Sequence, residues 1–348
     1  MPLPGLPSAQ PYIRVVGMSK QILGRLSAML VTLILASVVV FIIIEIPPGD
    51  YAERYAYKLA EGGTAVTEAD MQALRAYFGI DRPLPERYLG WIKNIILHGD
   101  FGVSFEYRRP VMQIIGERFS LTGLLLLFTL LITYGVAIPI GIYSAVKQYS
   151  LGDYAFTILA YAGLATPNFL LALVLLYLTV TYFHASVGGL FSPQFIDTPW
   201  SWARLMDLLS HLWIPAIILG LAGTGLQMRT VRALMLDEQN KLYVTAARAR
   251  GLSEPRLILK YPVRVALNPI VSTIGWELSR IISGAPIVAV VLALPDTGPL
   301  YLNALLDQDM YLAGTMLLLM TVLTILGTLL SDVLLALLDP RIRQGGKA

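Results

Sequence analysis

Six long stretches of apolar residues, each bounded by charged residues, most constrain what this chain can fold into. A helix needs roughly 20 mostly apolar residues to cross a hydrocarbon core of about 30 Å. Such stretches run from Leu26 to Ile44, Phe119 to Val146, the residue after Asp153 to about Phe183, about Leu212 to Met228, about Val265 to Leu294, and Met310 to Leu330. They predict an all-α integral membrane protein with about six transmembrane helices.

Composition excludes several classes of protein. Of the 348 residues, 56% are hydrophobic and 14% are charged, which is more apolar surface than a soluble domain can bury. The basic residues lie in short loops between apolar runs, so nucleic-acid binding is not expected. The chain has no cysteine and three widely separated histidines, His98, His184 and His211, which predicts no disulfide and no metal site.

The first apolar stretch has a signal peptide as its alternative, because Lys20 and Arg25 precede it. Its 19 residues exceed the usual apolar core of a signal peptide, and the residues that follow, Glu45 to Asp50, contain no small-residue cleavage site. We therefore expect a retained helix.

Lysine and arginine in the short loops predict the orientation. The loop from Arg229 to Arg264 holds eight of them, whereas Phe183–His211 has one and Leu294–Asp309 has none. The positive-inside rule makes the first loop and both termini cytoplasmic. The predicted division is a cytoplasmic N-terminus (1–25), a first transmembrane helix (26–44), an extracytoplasmic helical segment (45–118), a transmembrane domain (119–335) containing loop 229–264, and a cytoplasmic C-terminus (336–348).

The extracytoplasmic segment carries helix signals of its own. Thr67 is expected to cap a short helix with Asp70 at its third position. An apolar stripe at helical spacing follows, formed by Tyr88, Leu89, Trp91, Ile92, Ile95 and Ile96. These patterns predict a small helical cap packed on the outer membrane face.

Loop 229–264 has the pattern helix, glycine, helix. We expect Asn240 to cap a short helix that runs through Tyr243 to Arg248, and a second helix to begin after Ser253, with proline in its first turn. Gly251 at the junction is suited to a left-handed conformation. The alanines Ala246, Ala247 and Ala249 would give a smooth surface that another protein can approach closely.

Thr245 to Gly251, Thr-Ala-Ala-x-x-x-Gly, resembles the Glu-Ala-Ala-x-x-x-Gly loop of binding-protein-dependent ABC importer permeases. Other stretches resemble the dipeptide, oligopeptide and nickel branch, namely Phe78-Gly79-x-Asp81-x-Pro83, Gly99-Asp100-Phe101-Gly102-x-Ser104, Leu294-Pro295 with Gly298, and Leu337 to Arg343. The similarity covers nearly the whole chain, including the segment typical of the first of two permease subunits. Thr245 stands where the general motif has glutamate, and members of this branch commonly lack that glutamate. Tyr261 stands where many relatives have histidine.

The resemblance implies a type I permease in a bacterial inner membrane, paired with a homologous second permease, two ATPase subunits and an extracytoplasmic substrate-binding protein. The residues implied to couple to the ATPase are Tyr243, Thr245, Ala246, Ala247, Arg248, Gly251, Leu252 and Ser253. The chain lacks a phosphate-binding loop. It is therefore expected to be a transport subunit without catalytic residues or cofactors, and ATP and magnesium would be bound by its partners.

Glu277 and Arg280 lie inside the fifth apolar stretch, where unpaired ionisable residues are costly. At a spacing of three residues they share a helix face and can pair. Two interpretations remain open, a polar patch lining the translocation path and a self-satisfied pair that steadies a helix interface.

Cargo and energy source have alternatives. Peptides are the expected cargo, and the same branch also carries oligosaccharides, opines and nickel complexes. From a different class, an ion-coupled secondary transporter would use Glu277 and would often show an inverted repeat, which the sequence lacks. A passive channel would need neither ATP nor a binding protein.

Overall fold

The computed structural model describes residues 11–46, 49–61, 66–183, 188–196 and 198–338, so His184 and both ends of the chain lie outside the described residues. The described part is helical and contains no β-strand, only an isolated bridge between Val103 and Pro110. The helices are α1 Pro11–Glu45, α2 Tyr51–Glu61, α3 Glu68–Phe78, α4 Leu84–His98, α5 Val111–Val146, α6 Leu151–Ala165, α7 Asn168–Phe183, α8 Trp202–Gln239, α9 Leu242–Ala249, α10 Glu254–Lys260, α11 Pro262–Ser272, α12 Ile274–Val291, α13 Thr297–Leu306 and α14 Met310–Leu338.

Five helices within the described ranges, α1, α5, α8, α12 and α14, are long and apolar enough to cross a membrane. The bent pair α6 and α7 makes a sixth if it is counted as one span. The prediction of an all-α protein with about six spans is confirmed.

The third predicted span is broken, because α6 and α7 meet at an angle of 106°. Thr166 ends α6 in an extended conformation, as expected for a residue before proline, and Pro167 cannot continue the hydrogen-bond ladder. The other proline named from the sequence behaves differently, since Pro215 lies inside the continuous helix α8.

The fifth predicted span, Val265 to Leu294, is wrong as one helix. It divides into α11 and α12 at Thr273, whose hydroxyl donates to the carbonyl of Ile270 at 2.7 Å. The hydroxyl of Tyr134 on α5 lies 3.0 Å from the hydroxyl oxygen of Thr273. A threonine that satisfies its hydroxyl on nearby groups favours a helix boundary.

Helices α5 and α8 form the centre of the membrane domain, with α6, α7 and α12 around them. Glycines on α8 allow the close approach, because a side chain on Gly220 would meet the hydroxyl of Thr133 at 2.7 Å and one on Gly225 would meet the carbonyl of Ala160 at 2.5 Å. Small residues at helix interfaces let backbones pack tightly in lipid. The fully buried residues of this core include Leu208, Leu212, Ile218, Leu219, Ile281 and Val288.

Helices α2, α3, α4 and the loop that follows them form a cap at one end of the membrane domain. Thr67 and Asp70 form the predicted capping box of α3. The predicted stripe on α4 is correct in part: Trp91 is buried among Phe41 and neighbouring apolar residues, whereas Leu89 and Ile96 are 64% and 74% exposed. The six residues span too wide an arc of the helix to face one neighbour.

Buried polar contacts attach the cap to the membrane helices. Asp309, directly before α14, accepts hydrogen bonds from the hydroxyl of Ser104 and from the backbone N–H of Glu106. Arg87 on α4 donates to both carboxylate oxygens of Glu45 at the end of α1, at 2.6 and 3.0 Å. The cap is thereby attached to both α1 and α14.

Candidate functional site

Helices α9 and α10 with Gly251 between them form a compact protrusion, hereafter the knob. The second helix begins as predicted, with Ser253 at its N-cap and Glu254 and Pro255 in its first turn. The first helix has Lys241, not Asn240, at its N-cap. The expectation for Asn240 was wrong, because it ends α8 and its side-chain amide donates to the carbonyl of Leu236 at 3.0 Å.

Gly251 has the predicted left-handed conformation, with φ of +81°. Its N–H donates to the carbonyl of Arg248 at 3.0 Å, so the turn follows α9 directly. Among the described residues, no atom outside Gly251 and its two chain neighbours lies within 4 Å of the position that a Cβ would occupy. Glycine is therefore favoured at this position by the left-handed backbone conformation, and not by a lack of room for a side chain among the described residues.

The knob has a small apolar interior. Val244, Ala247 and Leu257 are fully buried against one another, and Leu252 packs beside them. Ala247 and Leu252 were among the residues implied to contact the ATPase. Ala247 is fully buried and Leu252 is half-buried, and both pack between α9 and α10, so they help to hold the two helices together.

The opposite face of α9 is exposed, uncharged and composed mainly of small side chains. Its residues are Leu242, Thr245, Ala246 and Ala249, which recur at the spacing of one helix face. Leu242 is 88% exposed. An apolar face of this kind on a protrusion outside the spanning helices is typical of a protein contact.

Charged and aromatic residues surround the exposed face. Arg248 donates to the two carboxylate oxygens of Glu254 at 2.5 and 3.1 Å, and its hydrogen bonds hold the pKa of Glu254 below the usual range. Tyr243 donates to Glu238, and its ring lies 6.2 Å from that of Tyr261. Burial, with the hydrogen bond to Glu238, raises the pKa of Tyr243 to about 12.

The knob packs on the membrane domain, near an ion pair that joins α8 to α6. Ile258 on α10 packs both on the knob interior and on a second cluster formed by Val231, Val263 and neighbouring residues. Nearby, Arg232 on α8 donates to both oxygens of Asp153 on α6, at 2.8 and 2.9 Å. This pair was not predicted from the sequence, since 79 residues separate its members.

Glu277 and Arg280 pair on one face of α12, as the spacing predicted. Glu277 is fully buried, and Nε of Arg280 lies 3.2 Å from each of its carboxylate oxygens. The guanidinium also reaches the carbonyl of Leu219 on α8, at 3.4 Å. The pair therefore lies at the interface between α12 and α8. Within the described ranges, no group of three or more acidic, histidine or cysteine side chains could hold a metal ion.

These features define a multi-pass helical membrane protein with a helix–glycine–helix protrusion beside its spanning helices. The chain belongs to the family of binding-protein-dependent transport system inner membrane components, whose profile matches residues 137–344. A second profile, for the N-terminal part of such membrane components, matches residues 18–126. The chain is thus a transport subunit of an inner membrane, with the type I ABC importer transmembrane fold.

Curated relatives are similar over most of their length. A putative peptide permease of Brucella ovis is 34% identical over 328 residues, which cover 94% of this chain and 99% of the relative. The oligopeptide transport system permease AppB of Bacillus subtilis is 32% identical, over 80% of this chain and 86% of its own. The dipeptide transport system permease DppB of Escherichia coli is 29% identical, over 93% and 98%.

Proposed function

We propose that this chain forms half of the translocation pathway of an ATP-driven importer of peptides. The names of the relatives support the cargo, since they describe peptide, oligopeptide and dipeptide permeases and each relative aligns over most of its length. The remaining subunits would be a homologous second permease, two ATPase subunits and a substrate-binding protein on the outer side.

The exposed face of α9 carries the proposal. Leu242, Thr245 and Ala246 form an uncharged surface on which only the leucine is bulky. Such a surface can fit closely into a groove of a partner protein. In this proposal the knob docks in the ATPase, and ATP with magnesium is bound and hydrolysed there. Closure of the ATPase dimer would then move the knob and the helices attached to it.

The proposed orientation follows from charge. Eight basic residues lie between Arg229 and Arg264, so we place the knob and both termini in the cytoplasm. The cap lies at the other ends of α1 and α14 and would face outward, towards the substrate-binding protein.

For Glu277 and Arg280 we propose a structural role. A buried carboxylate that is paired with a guanidinium is electrically neutralised, and the same guanidinium reaches a carbonyl of the neighbouring helix. The pair would fix α12 against α8. A proton-coupled transporter needs a carboxylate that can exchange its proton, so the pairing argues against that alternative.

The proposal is tested by replacing Ala246 with tryptophan and measuring ATP-dependent peptide uptake and copurification of the ATPase. We expect both to fall steeply, because the new side chain would fill the contact surface. The matched control is Ala60→Trp, at an exposed position of α2 in the cap, which should leave both unchanged. Normal uptake and ATPase association with Ala246→Trp would refute the docking role of α9.

A further inference from the structure

A cleft of about 660 Å³ opens in the cap, which no part of the proposed coupling mechanism uses. It lies between the end of α3, one side of α4, the loop from Asp100 to Arg108, and Tyr311 on α14. Its volume falls within the range of roughly 300–1,000 Å³ that is typical of small-molecule sites.

Aromatic rings form rigid walls for the cleft. The ring of Phe105 lies 4.9 Å from that of Phe78 and 5.2 Å from that of Tyr311, in inclined or edge-on arrangements. Trp91 is fixed by its indole N–H, which donates to the carbonyl of Phe101 at 3.2 Å. The cleft is therefore preformed, and binding would require little ordering of its walls.

Two exposed charged side chains of opposite sign line the cleft. Arg82 and Glu86 are exposed, and neither makes an ion pair or a side-chain hydrogen bond within the described part of the chain. Arg87, also in the lining, differs because Glu45 neutralises it. The free charges of Arg82 and Glu86 are thus available to a ligand.

Two further charges in the loop repeat this arrangement. The guanidinium of Arg108 donates to the phenol oxygen of Tyr55 at 2.9 Å and has no carboxylate partner among the described residues. One carboxylate oxygen of Asp100 accepts from the N–H of Gly102 at 2.9 Å, which leaves the other oxygen available. The cleft offers both guanidinium donors and carboxylate acceptors around aromatic walls.

We propose that this cleft binds a short peptide with free termini. The peptide carboxylate would be held by Arg82 and Arg108, its ammonium group by Glu86 and Asp100, and an apolar side chain would pack on the half-buried ring of Tyr311. Charge-assisted hydrogen bonds of guanidinium with carboxylate are among the strongest available for this recognition. The inference rests on the proposed peptide cargo and adds a cargo site on this chain itself, outside the membrane helices.

The test is peptide binding to the full chain in lipid nanodiscs, without any binding protein, by titration calorimetry. The probe is the tripeptide Ala-Phe-Ala, compared with its N-acetylated and C-amidated forms. We expect each blocked terminus to weaken binding by about tenfold or more. Arg82→Gln and Glu86→Gln should weaken it similarly, whereas the matched controls Arg54→Gln and Glu61→Gln, exposed on α2, should leave it unchanged.

Several results would overturn the proposal. The first is that the blocked peptides bind as tightly as the unblocked peptide. The second is that Arg82→Gln and Arg54→Gln bind the peptide equally well. The third is that the natural chain shows no binding at millimolar peptide. A loss of binding-protein association in Arg82→Gln, with peptide binding unchanged, would make the cleft a protein-docking surface instead. Uptake by the assembled importer is measured separately, so that intact uptake without binding to this chain overturns the cleft site alone and leaves the proposed function standing.

Discussion

Glu277 of α12 lies directly against Gly223 of α8, and a methyl group on Gly223 would overlap the carboxylate. The glycine makes room for a buried, charged side chain at a helix interface. The guanidinium of Arg280 compensates that charge from the same helix. The close contact and the ion pair are thus two parts of one arrangement between α8 and α12.

Removing only the cation from this interface should destabilise the protein. Arg280→Met leaves Glu277 buried without its partner, and breaking a buried pair in this way costs about 3–5 kcal/mol. Thermal unfolding in detergent should therefore show a clear loss for Arg280→Met and recovery of most of it in Glu277→Gln/Arg280→Met. If Arg280→Met is as stable as the natural protein and the transporter is inactive, the pair lines the pathway and the structural role is wrong.

Gly251→Trp should abolish coupled transport while insertion and expression stay normal. The position has φ of +81°, and beyond its two chain neighbours no described residue comes within 4 Å of where a Cβ would stand. A tryptophan would strain the turn and meet the docked partner, whereas Gly251→Ala adds only the backbone strain of roughly 1–2 kcal/mol. Uptake and ATPase activity of the two variants separate these effects, and equal behaviour of Trp and Ala would show that no partner approaches this turn.

Labelling of single cysteines should establish the orientation, since the natural chain contains none. In intact cells we expect a membrane-impermeant reagent to label Tyr57→Cys, which is 73% exposed in the cap, and to leave Lys241→Cys unlabelled. Permeabilised cells should show labelling at both positions. External labelling at position 241 would invert the proposed topology.

Stability should depend on pH through Asp296, at the N-terminus of α13. Burial raises the pKa of its carboxyl to about 6, against the opposing hydrogen bond from the N–H of Gly298, and one carboxylate oxygen has no hydrogen-bond partner among the described residues. A pKa raised above the ordinary value of 3.8 means that the folded state favours the neutral form, so the stability from this group is complete below about pH 4 and is lost as the pH rises through about 6.

Asp296→Asn stays neutral and keeps an acceptor for Gly298, so it should be more stable than the natural protein at high pH, by about 3 kcal/mol at most. Unfolding in detergent near pH 5 and near pH 8 would measure the difference, which should be larger at the higher pH. A variant whose advantage does not grow with pH would show that this carboxyl is already ionised in the folded protein.

Local chemistry explains why several features were predictable. A capping box at Thr67, a left-handed glycine at position 251 and a helix that begins with Glu254 and Pro255 each depend on neighbours within a few residues. The apolar stretches were equally clear, because the bilayer requires a minimum length of apolar residues.

Features that depend on distant neighbours were missed or misjudged. Helix packing, and not local pattern, brings Arg232 next to Asp153. Helix packing also decides that Leu89 and Ile96 of α4 are exposed. The division at Thr273 depends in part on Tyr134, in another helix. One available signal was overlooked: Gly220, Gly223 and Gly225 on α8 predict close helix contacts.

Helix α8 runs without interruption for 38 residues, a length of roughly 57 Å at about 1.5 Å per residue. It ends beside the knob, and its other end lies beyond the core of the membrane domain. If α9 docks as proposed, a displacement at the knob would pass through the short turn at Asn240 and Lys241 and then along one continuous helix. Pro215 removes one backbone hydrogen bond in the half of this helix that lies far from the knob, so bending of α8 is expected there, and motion imposed at the knob would then change the angle of the opposite end.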